Sequence, residues 1–187
     1  MTKKIDKDSK ATDMLVTSMV SKVEASDEFK AWRKDNQDAY LAHAFVMLED
    51  LKDVTVLEKL AWQVGYYLPK DDMIAVFMID EDVVSRAPDS EIFKKESNAV
   101  DKLDLEKIKF DIREALDKTM DVLDEKYKAH MPDKIIVILQ SLDSTQLWNM
   151  TVVTRSFHMI NIRIDTGSGE VVKETINSIF DLEKKYE

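Results

Sequence analysis

The chain of 187 residues has no cysteine and only three glycines and three prolines. Without cysteine there is no disulfide staple, no thiolate metal site and no cysteine nucleophile. So few glycines leave no phosphate-cradling loop, no dinucleotide fingerprint and no nucleophile elbow. No apolar stretch approaches the length of a membrane span, and the polar residues 1–10 lack the apolar core of a signal peptide. A cytoplasmic location is the expectation. Runs of lysine and arginine are also missing, and the formal net charge is −10. Such a surface repels phosphate backbones and anionic lipid, so neither nucleic acid nor membrane is expected as a partner.

What is present is one pattern written twice. Trp62 to Tyr66 is followed by Met73 to Asp80; Trp148 to Val152 is followed by His158 to Asp165. The interval from tryptophan to aspartate is 18 residues in the first copy and 17 in the second. Hydrophobic residues make up 44% of the chain, enough for a core, but units of half this length are marginal alone, so the copies are expected to pack on each other.

Around the repeats the chain alternates between helical and strand periodicity. Residues 1–10 carry charge and little else, which predicts a disordered tail. Leu15, Val16, Met19, Val20 and Val23 form a helical stripe. Ser26 or Asp27 can cap a second piece carrying Phe29 and Trp32, as a separate helix or as the far side of a bend. Tyr40–Leu48, Leu60–Leu68 and Met73–Asp80 predict three strands, the last two a hairpin turned by Pro69 to Asp72. A short helix can start at Pro88 to Glu91 and reach Lys95, and Glu96 to Asn98 is the expected boundary between copies.

The second copy opens on the strongest helical pattern, in which Leu105, Ile108, Ile112, Leu116, Met120, Leu123 and Tyr127 recur every three or four residues. Asp104 is its expected cap and Pro132 its stop. Strands follow at Lys134–Ser141, Leu147–Thr154 and His158–Asp165, then a glycine turn at Gly167 to Gly169. Ile176, Ile179, Phe180 and Leu182 suggest a short closing helix.

The stretch Trp148-x-Met150-x-Val152, then Ile162-x-Ile164-Asp165 and Ser168-Gly169-Glu170-Val171, resembles the PepSY domain. The first copy matches at Trp62, Val64, Ile79 and Asp80 but lacks the glycine turn. The resemblance implies two tandem cystatin-like units, residues 11–97 and 98–187, each a helix packed on a three-stranded antiparallel sheet. It also implies a binding or regulatory role without catalysis. The motif itself is structural: Gly169 can take a positive φ, Asp165 can accept backbone amides within the turn, and Trp148 can pack against the helix.

Several short patterns invite sharper chemistry. Asp165 to Ser168 also reads as an aspartic-protease signature, which needs two carboxylates sharing a proton. Only 22 residues follow Asp165, and the first copy has Asp80-Glu81-Asp82 instead, so a structural turn is preferred. Asp71, Asp72 and Asp80 to Asp82 do not fit a calcium loop and suit solvated acidic loops. His43, His130 and His158 are too scattered to read as a metal set. Ten methionines suit core filling better than an adaptable surface. Tyr66, Tyr67 and Phe77 suit either a partner patch or the contact between copies. The expectation is an α+β protein, not an enzyme, with no catalytic, metal or cofactor residues. Its partner is expected to be a protein or peptide, with a homodimer left open. An acidic secretion-type chaperone and an aspartic-type hydrolase using Asp165 are the alternatives.

Overall fold

The computed structural model describes residues 14–49, 54–88, 90–91 and 100–180. Two helices come first, α1 (Leu15–Ala25) and α2 (Asp27–Asp35), and four strands follow: β1 (Tyr40–Leu48), β2 (Trp62–Leu68), β3 (Met73–Asp80) and β4 (Val83–Arg86). After the two-residue β5 (Ser90–Glu91) come α3 (Ile112–Lys126), β6 (Pro132–Leu142), β7 (Thr145–Thr154), β8 (His158–Asp165) and β9 (Val171–Ser178). All strands belong to one antiparallel sheet in the order β4-β3-β2-β1-β6-β7-β8-β9, with β5 added beside β3.

This corrects the expectation of two separate three-stranded units. Each half contributes four strands to the main path, and β1 pairs with β6 across the middle, making the sheet continuous. The repeat survives in register. Trp62 lies opposite Ile79 and Val64 opposite Phe77; Trp148 lies opposite Ile164 and Met150 opposite Ile162. At the centre Ala44 faces Leu139 and Val46 faces Val137, on either side of the pair Phe45–Ile138. Trp62 neighbours Val46 as Trp148 neighbours Leu139. A local twofold through Phe45 and Ile138 therefore exchanges the halves.

Alternation assigns the two faces of the sheet. Val46, Trp62, Val64, Phe77, Ile79, Val137, Leu139, Trp148, Met150, Ile162 and Ile164 are buried in one core with the apolar stripes of α1, α2 and α3. The three helices thus share one face. Ser26 ends α1 and starts α2, its hydroxyl accepting from the Phe29 amide at 3.1 Å, which settles the first helical region as two helices. Tyr66 and Phe77 pack under α2, with Phe29 rings 4.8 and 5.2 Å away. They are neither a partner patch nor a contact between the halves, because both point to the helical side. Tyr67 points the other way, against Tyr40.

Several element boundaries differ from expectation. The long helical pattern divides into a 3-10 turn at Leu105–Lys107 and α3; Asp104 caps the turn, and Glu114 reaches back to the Asp111 amide at 2.9 Å to open the helix. The helix stops at Lys126, and Pro132 begins β6, an allowed place for a residue without an N–H. Val83–Arg86 and Ser90–Glu91 are strands, not the start of a helix. Val171–Ser178 is the edge strand β9, so Ile176 lies in a strand, and helical backbone begins only at Ile179 and Phe180. Valine, threonine and isoleucine suit a strand, and β8 supplies the ladder that fixes it. The expected tail at 1–10, the boundary at 96–98, Lys95 and Leu182 lie outside the described residues.

Because the ladder crosses the midline, damage in one half should be felt in the other. Leu139→Ala, at a fully buried site beside Ala44, should cost about 2–5 kcal/mol. In a Trp148→Phe background, fluorescence reports only Trp32 and Trp62 of the first half. The expected result is a single urea transition shifted by the Leu139 change; an unmoved first-half transition would show independent units.

Candidate functional site

The face opposite the helices is the candidate site. No helix among the described residues lies on it. Its middle is apolar: Phe45 and Met47 of β1, Ile136 and Ile138 of β6, with Val76 and Met78 of β3 further out. Apart from Met78, which is 38% exposed, these side chains are half-buried. Toward β8 the surface turns polar. Asn149 lies opposite Arg163, and Asn161 donates to Thr151 Oγ1 at 2.9 Å. The methionines divide accordingly: Met19 and Met150 fill the core, while Met47, Met78 and Met159 lie on the open face.

One end of this face is closed by a small aromatic cluster. Tyr40, Ala42, Tyr67 and Ile74 pack together with Val76 and Val100. The Tyr40 hydroxyl donates to the Val100 carbonyl at 2.7 Å, and that of Tyr67 to Asp72 at 2.7 Å. Beside it the His43 imidazole lies flat on Gly65. A Cβ at Gly65 would sit 2.1 Å from His43 Cε1, so only glycine admits the ring. Burial lowers the His43 pKa by disfavouring the imidazolium.

The Asp165 turn has the geometry that its sequence implies. Asp165 Oδ1 accepts from the amides of Gly167 at 3.0 Å and Ser168 at 2.7 Å and from the Ser168 hydroxyl at 2.9 Å. Gly169 has φ +74° and packs on the Phe110 ring, and the Trp148 indole donates to the Phe110 carbonyl at 2.7 Å. Partial burial pushes the Asp165 pKa up, but the Ser168 and Gly167 donors outweigh it and hold the carboxyl below its ordinary value. Asp80, its counterpart, ends β3, five strand intervals away. That is about 24 Å at the usual strand spacing. The two carboxylates cannot share a proton, so the geometry needed by an aspartic-type hydrolase is missing from this pair.

Two histidines that look scattered in sequence meet in space. His130 and His158 have ring centroids 4.7 Å apart, with Nδ1 of each within 3.2 Å of an oxygen of Ser156. Among the described residues, no three or more of His, Asp and Glu are placed to hold a metal ion. Asp72 is bonded by Tyr67, and Asp82 by Lys22 at 2.8 Å, in keeping with acidic loops that serve local structure. A shallow cleft of about 420 Å³ is lined by Glu28, Ala31, Trp32, Asp35, Asn36 and Arg86 on the helical side. It brings no nucleophile and base together.

No model of a known protein family matches the sequence, and no curated protein matches it. One solved structure shares the fold: a putative lipoprotein from Clostridium difficile 630, at 15% identity and a TM-score of 0.50, over 89% of this chain and 97% of that one.

The packing of His43 on Gly65 gives two expected outcomes. Gly65→Ala should destabilise the protein by about 1–3 kcal/mol through overpacking, and His43→Ala in the same chain should restore most of the loss. Denaturant midpoints measure both. The lowered His43 pKa has a defined sign: the unfolded chain takes up the proton first as pH falls below the ordinary value of 6.5. Stability should therefore fall between pH 7 and 5, and His43→Gln should flatten that part of the wild-type slope.

Proposed function

We propose that this chain is a non-enzymatic binding or regulatory protein that docks another folded protein on the open face of its sheet. The observation that carries this reading is the apolar band Val76, Met78, Phe45, Met47, Ile136 and Ile138, which no described helix covers. A sheet that needs only one packed face could carry polar residues on the other. Here β1 and β6 are apolar on both faces, and the exposed side is the one left for a partner. Methionines at 47, 78 and 159 add side chains that adapt to a partner's contour.

The finer fold reading belongs to the same proposal. The halves are two PepSY-like, cystatin-like units fused edge to edge. Its support is the repeated tryptophan-to-isoleucine register and the Asp165 to Gly169 turn. A peptide partner has a second route, addition to the outer edge of β9, where Val172 and Ile176 are 52% and 37% exposed. The apolar band favours the open face over the edge.

The test is a matched capture from native extract, with the wild type, Ile138→Lys on the open face, and Lys118→Glu on the exposed outer side of α3. Near-UV circular dichroism checks each fold. A partner retained by wild type and Lys118→Glu, with affinity at least tenfold weaker for Ile138→Lys, supports the proposal. Equal retention by all three places the contact elsewhere and overturns it.

A further inference from the structure

Across the open face runs one continuous register row: Ser85, Met78, Gln63, Phe45, Ile138, Asn149, Arg163 and Lys173. Two polar atoms in it are out of balance. Arg163 Nε and Asn149 Oδ1 are both sealed from water and neither has a hydrogen-bond partner. Buried polar atoms are paired in the great majority of cases, because an unpaired one forfeits its hydration without replacement. The guanidinium has no ion pair among the described residues, whereas Lys22, Arg113, Lys126 and Arg155 each have one.

Charge sharpens the point. In a chain of net charge −10, Arg163 lies directly opposite another cation, Lys173. Like charges facing each other across a ladder destabilise it. Lys134 adds a third cation to the same face, opposite Val153. Among the described residues, the carboxylates that the strands carry on this face sit at strand ends, at Asp80 and Asp165, and Asp165 is consumed by its own turn. An electropositive spot with unused donors thus interrupts an acidic surface.

We infer that Arg163, with Asn149 beside it, anchors an aspartate or glutamate side chain of the docked protein. This rests on the docking reading above and names the partner's chemistry. The guanidinium offers the paired Nη–H groups at its outer end as a fork matched to the two oxygens of a carboxylate, while Nε stays sealed beneath. Asn149 can turn its terminal amide to donate to the same group. The local twofold makes the anchor one-sided: Met78 and Gln63 stand where Arg163 and Asn149 stand in the other half. The partner therefore brings apolar side chains to the Phe45–Met78 side and an acid to the Arg163 side, three strand intervals from Phe45. That is about 14 Å.

The experiment pans a phage library of random disulfide-closed loops on the full chain and measures the enriched loops against variants. The expected loops carry an aspartate or glutamate together with apolar residues. They should bind Arg163→Gln at least tenfold more weakly, bind Arg163→Lys at an intermediate level, and weaken with added NaCl for wild type more than for Arg163→Gln. Asn149→Asp should abolish binding while raising the melting temperature, because the new carboxylate satisfies Arg163 from within. Loops without acids, or loops that bind Arg163→Gln as well as wild type yet lose Ile138→Lys, would overturn the carboxylate anchor and leave the docking face standing. Loops indifferent to both positions, or no enrichment at all, would overturn both.

Discussion

The antiparallel pairing of β1 with β6 is the constraint from which the rest of the architecture follows. It hydrogen-bonds the inner edges of both halves, so neither exposes an unpaired ladder at the midline. It also fixes the phase of every other strand. Once Val46 and Val137 are neighbours on the helical side, alternation places Phe45 and Ile138 on the other. The helices then have one apolar surface to cover, and all three cover it. A one-residue slip of this pair would put Trp62 and Trp148 on opposite faces of the sheet, so that one core could no longer hold both.

The same constraint explains why an apolar band is left bare. The central strands must be apolar on the helical side to build the core, and strand propensity favours β-branched residues on both sides. Propensity alone does not demand Phe45, Met47 and Ile138 outside, since β7 and β8 carry Asn149, Thr151, Asn161 and Arg163 there. The outward face was free to be polar, and half of it is. An apolar centre beside a polar flank is the composition of an interface core and its rim.

Much of this was legible before any coordinates. The α+β class, the strands at 40–48, 73–80 and 158–165 and the two hairpins follow from apolar runs rich in strand formers and from turn chemistry. The aspartate–glycine turn could be read because Gly169 has a geometric task that other residues perform poorly. What could not be read was whether the two repeats form two sheets or one, since a strand buried on both sides and one buried on a single side are equally apolar in sequence. Lys134–Ser141 reads as buried on both faces; in space its second face is half open. The edge strand β9 has no clear signal of its own because Ile176 continues the stripe of Ile179 and Phe180, which are helical, and only pairing with β8 takes Ile176 into a strand. The encounters of His130 with His158, and of Asn149 with Arg163, depend on register between distant segments and leave no local signal.

A near-symmetric surface raises a problem of its own, because a twofold face can accept one partner in two orientations with equal energy. The halves escape this by diverging where the backbone does not care. Open-face side chains at equivalent positions are free to differ as long as their inward neighbours keep the core, and they do: Met78 against Arg163, Gln63 against Asn149. The two ends of the hairpins diverge as well. One closes through the tight Glu81 turn with φ 51°, tethered by Lys22 of α1, and the other through the Asp165 to Gly169 loop resting on Phe110. The helical side keeps the fold common to both halves, and the open side, released from that duty, carries the differences that give the surface a direction.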